Sequence, residues 1–220
     1  MKDNYTAIGV IMDRSGSMSH LAADTIGGFN TFLKTQKDLP GEADLTLVLF
    51  DHEYTIVHDC KPLAEVPDLD DKTYFARGNT ALLDAIGRTV KTMGARFAAM
   101  DEADRPSKVI LSIVTDGFEN ASREFTHEQI LALLKEHQEK YSWEVIYFGA
   151  NQDAIAVSAR MGIHAHNAVS YAANSHGTAN VYAMKSMRVA TSRSANNMSD
   201  SDRKKYEEAL ANMKNTSTKN

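Results

Sequence analysis

The chain has 220 residues, 43% of them hydrophobic, enough to enclose one sizeable core. Its 24 Lys and Arg against 29 Asp and Glu leave a net charge of −5, without the basic stripe that nucleic-acid binding needs. The one cysteine, Cys60, excludes an internal disulfide framework and fits a reducing compartment. The N-terminal MKDNYTAIGV has no apolar signal core and no run reaches membrane-spanning length, so a soluble, cytoplasmic domain is expected.

In chain order, Thr6 to Met12 is a near-continuous apolar run, the pattern of a central strand covered on both faces. It ends in the oxygen-rich DRSGSM segment. Alternate residues of an extended loop point to one side, so Asp13, Ser15 and Ser17 could converge on one point, and their oxygens suit a hard cation. Ile26, Phe29 and Leu33 recur at helical spacing over about Leu21 to Asp38, with Gly27-Gly28 allowing close packing or bending. Leu39-Pro40-Gly41 stops that helix. Ala43 to Phe50 reads as a second strand and Tyr54 to Val57 as a shorter third. Only Asp51-His52-Glu53 lies between them, so the pair is an antiparallel hairpin with the third strand at the sheet edge.

Asp59 to Asn79 reads as loop. Thr80 is the expected N-cap of a periodic helix carrying Leu83, Ile86, Val90, Met93 and Phe97. Lys108 to Thr115 is another buried strand, ending in Asp116-Gly117. Thr126 with Gln129 gives a capping box, and Phe125 with Ile130 a hydrophobic staple, for a helix to about Lys140. Trp143 to Gly149 is the next strand, Asn151 is the expected cap of a short helix ending near Gly162, and Ile163 to Val169 is a weak last strand. A further helix starts near Gly177. The segment 194–220 is a polar extension with one thin stripe, Tyr206, Leu210 and Met213. It reads as a loosely docked helix or a frayed tail, set apart from a domain over 1–193.

Strands alternating with helices imply an α/β fold, a doubly wound and mostly parallel sheet with one antiparallel edge strand and helices on both faces. Ligands of such sheets bind outside the carboxyl ends of the strands where strand order reverses. The first strand delivers Asp13, Ser15 and Ser17 there, the fourth delivers Asp116, and the loop before the periodic helix delivers Thr80.

Asp13-x-Ser15-x-Ser17, Gly78-x-Thr80-x-Leu82-x-Asp84-Ala85 and Thr115-Asp116-Gly117, in that order, resemble the three separated parts of the metal-ion-dependent adhesion site of von Willebrand factor A domains. The resemblance covers about Tyr5 to Val169 and is nearest the compact intracellular bacterial and phage members. It implies a Rossmann-like fold and a metal site made of Asp13, Ser15, Ser17, Thr80 and Asp116. Mg2+ is the implied ion, with Mn2+ or Ca2+ as alternatives. Neutral hydroxyl ligands would leave that ion able to accept an Asp or Glu carboxylate from a protein partner. The family further implies partners such as an AAA-type ATPase or a stress-response assembly and binding without bond-making, while charge and hydropathy lead to the expectation of no nucleic acid and no membrane. Two other readings stand beside it. One is a Mg2+-dependent phosphohydrolase or phosphotransferase, which would want a second acid where Ser15 stands; the other is a homo-oligomer assembling through the same site.

Other residues are read more plainly. His164 and His166 alternate on a polar edge strand without a third ligand. Asp51-His52-Glu53 is a solvated hairpin turn, Cys60 a loop thiol and Asp68 to Asp71 a solvated loop. Met184 and Met187 belong to the core.

Overall fold

A computed structural model describes residues 1–150 and 153–194. Six strands form one sheet: β1 (Lys2–Asp13), β2 (Glu42–Phe50), β3 (Tyr54–Pro62), β4 (Pro106–Thr115), β5 (Glu144–Ala150) and β6 (Ala168–Tyr171). Their spatial order is β3-β2-β1-β4-β5-β6, with every pair parallel except β2 with β3. β1 is the first strand in the chain, yet it lies between β2 and β4. Strand order therefore reverses at the β1/β4 pair, and ligands of such sheets bind beyond the carboxyl ends of the strands at that reversal.

The apolar runs are continuous because each strand feeds two cores. In β1, Ile8, Val10 and Met12 enter one core while Ala7 and Ile11 enter the other. β4 splits the same way, with Ile110 and Val114 on one face and Leu111 and Ile113 on the other. This is the period of two expected of a strand covered on both sides. The first core is closed by α1 (Ala22–Lys37) and α5 (Ser175–Ser194). The second is closed by α2 (Leu82–Ala99), α3 (His127–Tyr141) and α4 (Ala154–Arg160). α1 and α5 approach closely at Gly28, where a Cβ would fall 2.4 Å from the Tyr182 ring, so the Gly27-Gly28 signal reports packing.

Several boundaries move relative to the sequence reading. β3 runs on to Pro62 and equals β2 in length, because Cys60 adopts φ +50° at an irregularity that carries the strand past Val57. Cys60 is thus a strand residue. The last strand lies at Ala168–Tyr171, preceded by a 3-10 turn over Ala165–Asn167. His164 and His166 consequently stack with ring centroids 5.5 Å apart beside that turn and share no strand face. The expected cap Asn151 lies outside the described residues, and Asp153 caps α4 by accepting from the Ala156 amide at 3.1 Å. The extension from 195 onward also lies outside them. Thr126 and Gln129 form the expected capping box of α3. Among the described residues no helix is long and apolar enough to cross a membrane.

Candidate metal centre

Asp13 is the last residue of β1, buried between β2 and β4. Its Oδ1 accepts from the Ser15 amide at 2.6 Å, and its Oδ2 accepts from the Thr115 hydroxyl at 2.5 Å. The chain then turns into a 3-10 helix (Gly16–Leu21) with Ser15 at its N-cap. That turn, in place of the extended loop expected, brings the Ser15 and Ser17 hydroxyls to 3.0 Å. The Ser17 hydroxyl donates to Asp116 Oδ1 at 2.6 Å. The first and fourth strands thus meet through four of the five candidate side chains.

Thr80 completes the group by a route the sequence reading did not anticipate. It does not cap α2; the N-cap position is Ala81, and no side chain caps there. The first amides of α2 are satisfied from the β4–α3 loop, Leu83 by Glu119 Oε2 at 2.9 Å and Asp84 by Ser122 Oγ at 3.1 Å. The Thr80 main chain is gripped by the same loop, its amide on Asn120 Oδ1 at 2.9 Å and its carbonyl accepting from the Asn120 and Ala121 amides. Freed from capping, the Thr80 hydroxyl faces Gly117, where an added Cβ would lie 2.8 Å from it and 3.6 Å from Asp13 Oδ2. Glycine at 117 keeps that space open. Asp84 closes the latch from the other side, accepting from the Arg123, Glu124 and Phe125 amides at 2.9, 3.0 and 3.0 Å.

The electrostatics favour a cation. Burial pushes the Asp13 carboxyl up to about 6, against the lowering effect of the Thr115 and Ser15 hydrogen bonds and with a further rise from nearby Asp116. Burial also raises Asp116, offset in part by the Ser17 hydroxyl and by His20. The adjacent cation, Arg14, turns away and gives its Nε to Asp51 Oδ2 at 3.1 Å, where Arg77 Nε also binds at 2.7 Å. Asp51 is fully buried. It is an ion-paired core carboxylate, not the exposed residue expected of a solvated turn, because two guanidiniums and the Glu53 amide at 2.5 Å compensate its charge. Among the described residues no group of three or more His, Cys, Asp or Glu is arranged around one point, so any cation here must draw on hydroxyls.

Some residues that shape the site carry weak sequence signals. Thr115 stood in the Thr115-Asp116-Gly117 motif but was not among the five expected ligands, yet it orients Asp13 and accepts from the Gly117 amide at 3.1 Å. Tyr74 donates to the Asp13 carbonyl at 2.7 Å from inside a stretch that reads as plain loop. The motif and its place at the end of an apolar strand were the available clues for Thr115; Tyr74 had none.

The fold has counterparts among solved structures. Proximal thread matrix protein 1 from the mussel byssus superposes with a TM-score of 0.61 over 88% of this chain and 48% of its own, at 14% identity. A structure of that mussel protein with zinc occupying its MIDAS motif gives 0.59 over 86% and 49%, at 12% identity. The von Willebrand factor type A protein from Catenulispora acidiphila gives 0.53 over 82% and 42%, at 12% identity, and the ArnB paralog VWA2 from Sulfolobus acidocaldarius 0.53 over 82% and 44%, at 15% identity. The chain has a von Willebrand factor A fold. This A-type fold spans about half the length of the structures it matches. No protein-family model matches the sequence, and no curated protein does.

Proposed function

We propose that the chain is a protein-interaction module that holds a divalent cation, Mg2+ foremost, and uses it to bind a carboxylate of a partner protein. The observation that carries this reading is the cluster of Asp13, Ser15, Ser17, Thr80 and Asp116 at the switch point, an all-oxygen set with two carboxylates that lack ion-pair partners among the described residues. The set fits the ion. Neighbouring ligands of an octahedral Mg2+ at 2.0–2.1 Å stand about 2.9 Å apart, and the oxygen pairs Ser15–Ser17 and Ser17–Asp116 are 3.0 and 2.6 Å apart.

In this reading Ser15, Ser17 and Thr80 hold the cation through neutral oxygens, and Asp13 and Asp116 supply the negative charge and orient the hydroxyls. When bound, the ion would supply Lewis acidity toward an incoming Asp or Glu side chain. Asp13 spends both carboxylate oxygens on hydrogen bonds from Ser15 and Thr115, which suits a positioning role better than nucleophilic attack. No bond-making is proposed, and an AAA-type ATPase, a stress-response assembly or a second copy of the chain are the partners to test first, in a cytoplasmic setting.

Thermal melts of wild type and Ser15→Ala with MgCl2 or EDTA test the site. Magnesium should raise the wild-type midpoint and leave the variant unmoved; an equal rise in both would misplace the ion. Affinity capture with wild type and Thr80→Ala then tests the interaction, with EDTA-sensitive partners expected only for wild type.

A further inference from the structure

The surface around the candidate metal centre carries a second recognition element. Of the eight phenylalanines in the chain, Phe75 and Phe118 are the exposed ones, at 46% and 65%, and both stand on the loops that form the site. Phe118 follows Asp116-Gly117 directly. Phe75 lies on a segment tied to the Asp13 loop, through Tyr74 to the Asp13 carbonyl, Arg77 N to Arg14 O at 2.7 Å, and Gly16 N to Gly78 O at 3.0 Å.

Phe75 is exposed but not loose. The guanidiniums of Arg14 and Arg77 sit 5.7 and 5.5 Å from its ring centroid, and Asp51 fixes both guanidiniums. An aromatic ring held in place while open to solvent loses little entropy on binding, the property of an interface anchor. The same arrangement decides the charge of the rim. Arg14 and Arg77 are already ion-paired with Asp51 and Glu53. A second acid on a partner would therefore find neither of these two guanidiniums unpaired.

Building on the metal-dependent reading above, we propose that the partner is a segment bearing a single Asp or Glu flanked by apolar side chains, one seated on Phe75 and the other on Phe118. The carboxylate supplies orientation at the cation, and the flanking residues supply buried apolar area on either side of it.

The test uses fluorescein-labelled peptides Gly-Leu-Asp-Leu-Gly, Gly-Gly-Asp-Gly-Gly and Gly-Asp-Asp-Asp-Gly, titrated with protein in MgCl2 and followed by anisotropy. The leucine-flanked peptide should bind about tenfold or more tighter than the glycine-flanked one, a margin of about 1.4 kcal/mol. Phe75→Ala and Phe118→Ala should each remove that margin, Phe75→Leu should restore much of it, and all three should keep the magnesium-dependent rise in melting midpoint. Equal binding of the two single-acid peptides overturns the proposal, as does tighter binding of the triple-aspartate peptide. No detectable binding of any peptide to a protein whose magnesium response is intact also overturns it, leaving the metal reading in place. Leucine-flanked binding that survives EDTA and Ser15→Ala supports the rim and overturns the metal reading instead.

Discussion

Replacing Lys185 with methionine should stabilise the protein. Lys185 lies on α5, fully buried, with no hydrogen-bond partner for its ammonium. Its Nζ is 4.5 Å from the Phe32 ring centroid, 5.3 Å from Tyr182 and 6.0 Å from Phe29. Burial pushes its pKa down from 10.5 to about 7. That gap corresponds to on the order of 5 kcal/mol of penalty on the charged form, of which the three rings return about 1–2 kcal/mol. Methionine matches the unbranched stem and carries no charge to desolvate. The expected gain is on the order of 3 kcal/mol near neutral pH, or about 6–12 °C in Tm for a chain of this size.

The pH dependence separates this account from simple repacking. Unfolded, the lysine keeps its proton up to about pH 10.5, whereas folded it releases it near 7, so the unfolded chain binds more protons between these values. The penalty is complete below pH 7 and fades as pH rises toward 10. The advantage of Lys185→Met over wild type should therefore shrink by at least about a third between pH 6.5 and 9, read as urea unfolding free energies. An advantage that does not change with pH, or a variant less stable than wild type, would refute the reasoning and require a counter-charge for the amine.

Three further substitutions probe the site's supports. Gly117→Ala adds a Cβ 2.8 Å from the Thr80 hydroxyl at a position without positive φ, so urea unfolding should fall by about 1–3 kcal/mol while the magnesium-dependent melting shift is lost. Asp84→Ala removes the acceptor of three backbone amides in the β4–α3 loop and should cost about 3 kcal/mol, with hydrogen exchange accelerating at Arg123, Glu124 and Phe125. Asp51→Ala strips the counter-ion from buried Arg14 and should cost about 3–5 kcal/mol by denaturant titration.

The parts of the fold that were legible are those where one residue's chemistry decides its environment. An apolar run such as Lys108 to Thr115 must be covered on both faces, and three intervening residues force a hairpin whatever surrounds them. That Asp13, Ser15, Ser17 and Asp116 would meet was legible for a similar reason, since all four lie at or just past the carboxyl ends of β1 and β4. Asp51 was misread because its burial depends on Arg14 and Arg77, which approach from segments 37 and 26 residues away. Thr80 was misread as a cap because its competitor, the Glu119–Ser122 loop, lies some 40 residues further on. Local spacing carries no information about which distant segment wins an amide.

The misreading of Thr80 bears on how the proposed site would work. A threonine hydroxyl that capped α2 would have to break that bond before meeting any ligand, and the site would form at the expense of the helix. Here the β4–α3 loop satisfies the helix amides, and Asp84 in turn satisfies the loop, so the two segments that carry Thr80 and Asp116 are fixed against each other. On the β1 side, the Ser15 amide and the Thr115 hydroxyl lock Asp13 in the same way. The oxygens of three distant segments are thereby oriented at the time of folding, and little ordering is left for the moment of binding. What stays free to vary is the rim. Phe75 and Phe118 are exposed on these fixed loops, so under the proposed reading partner choice would change there by side-chain substitution without disturbing the oxygens.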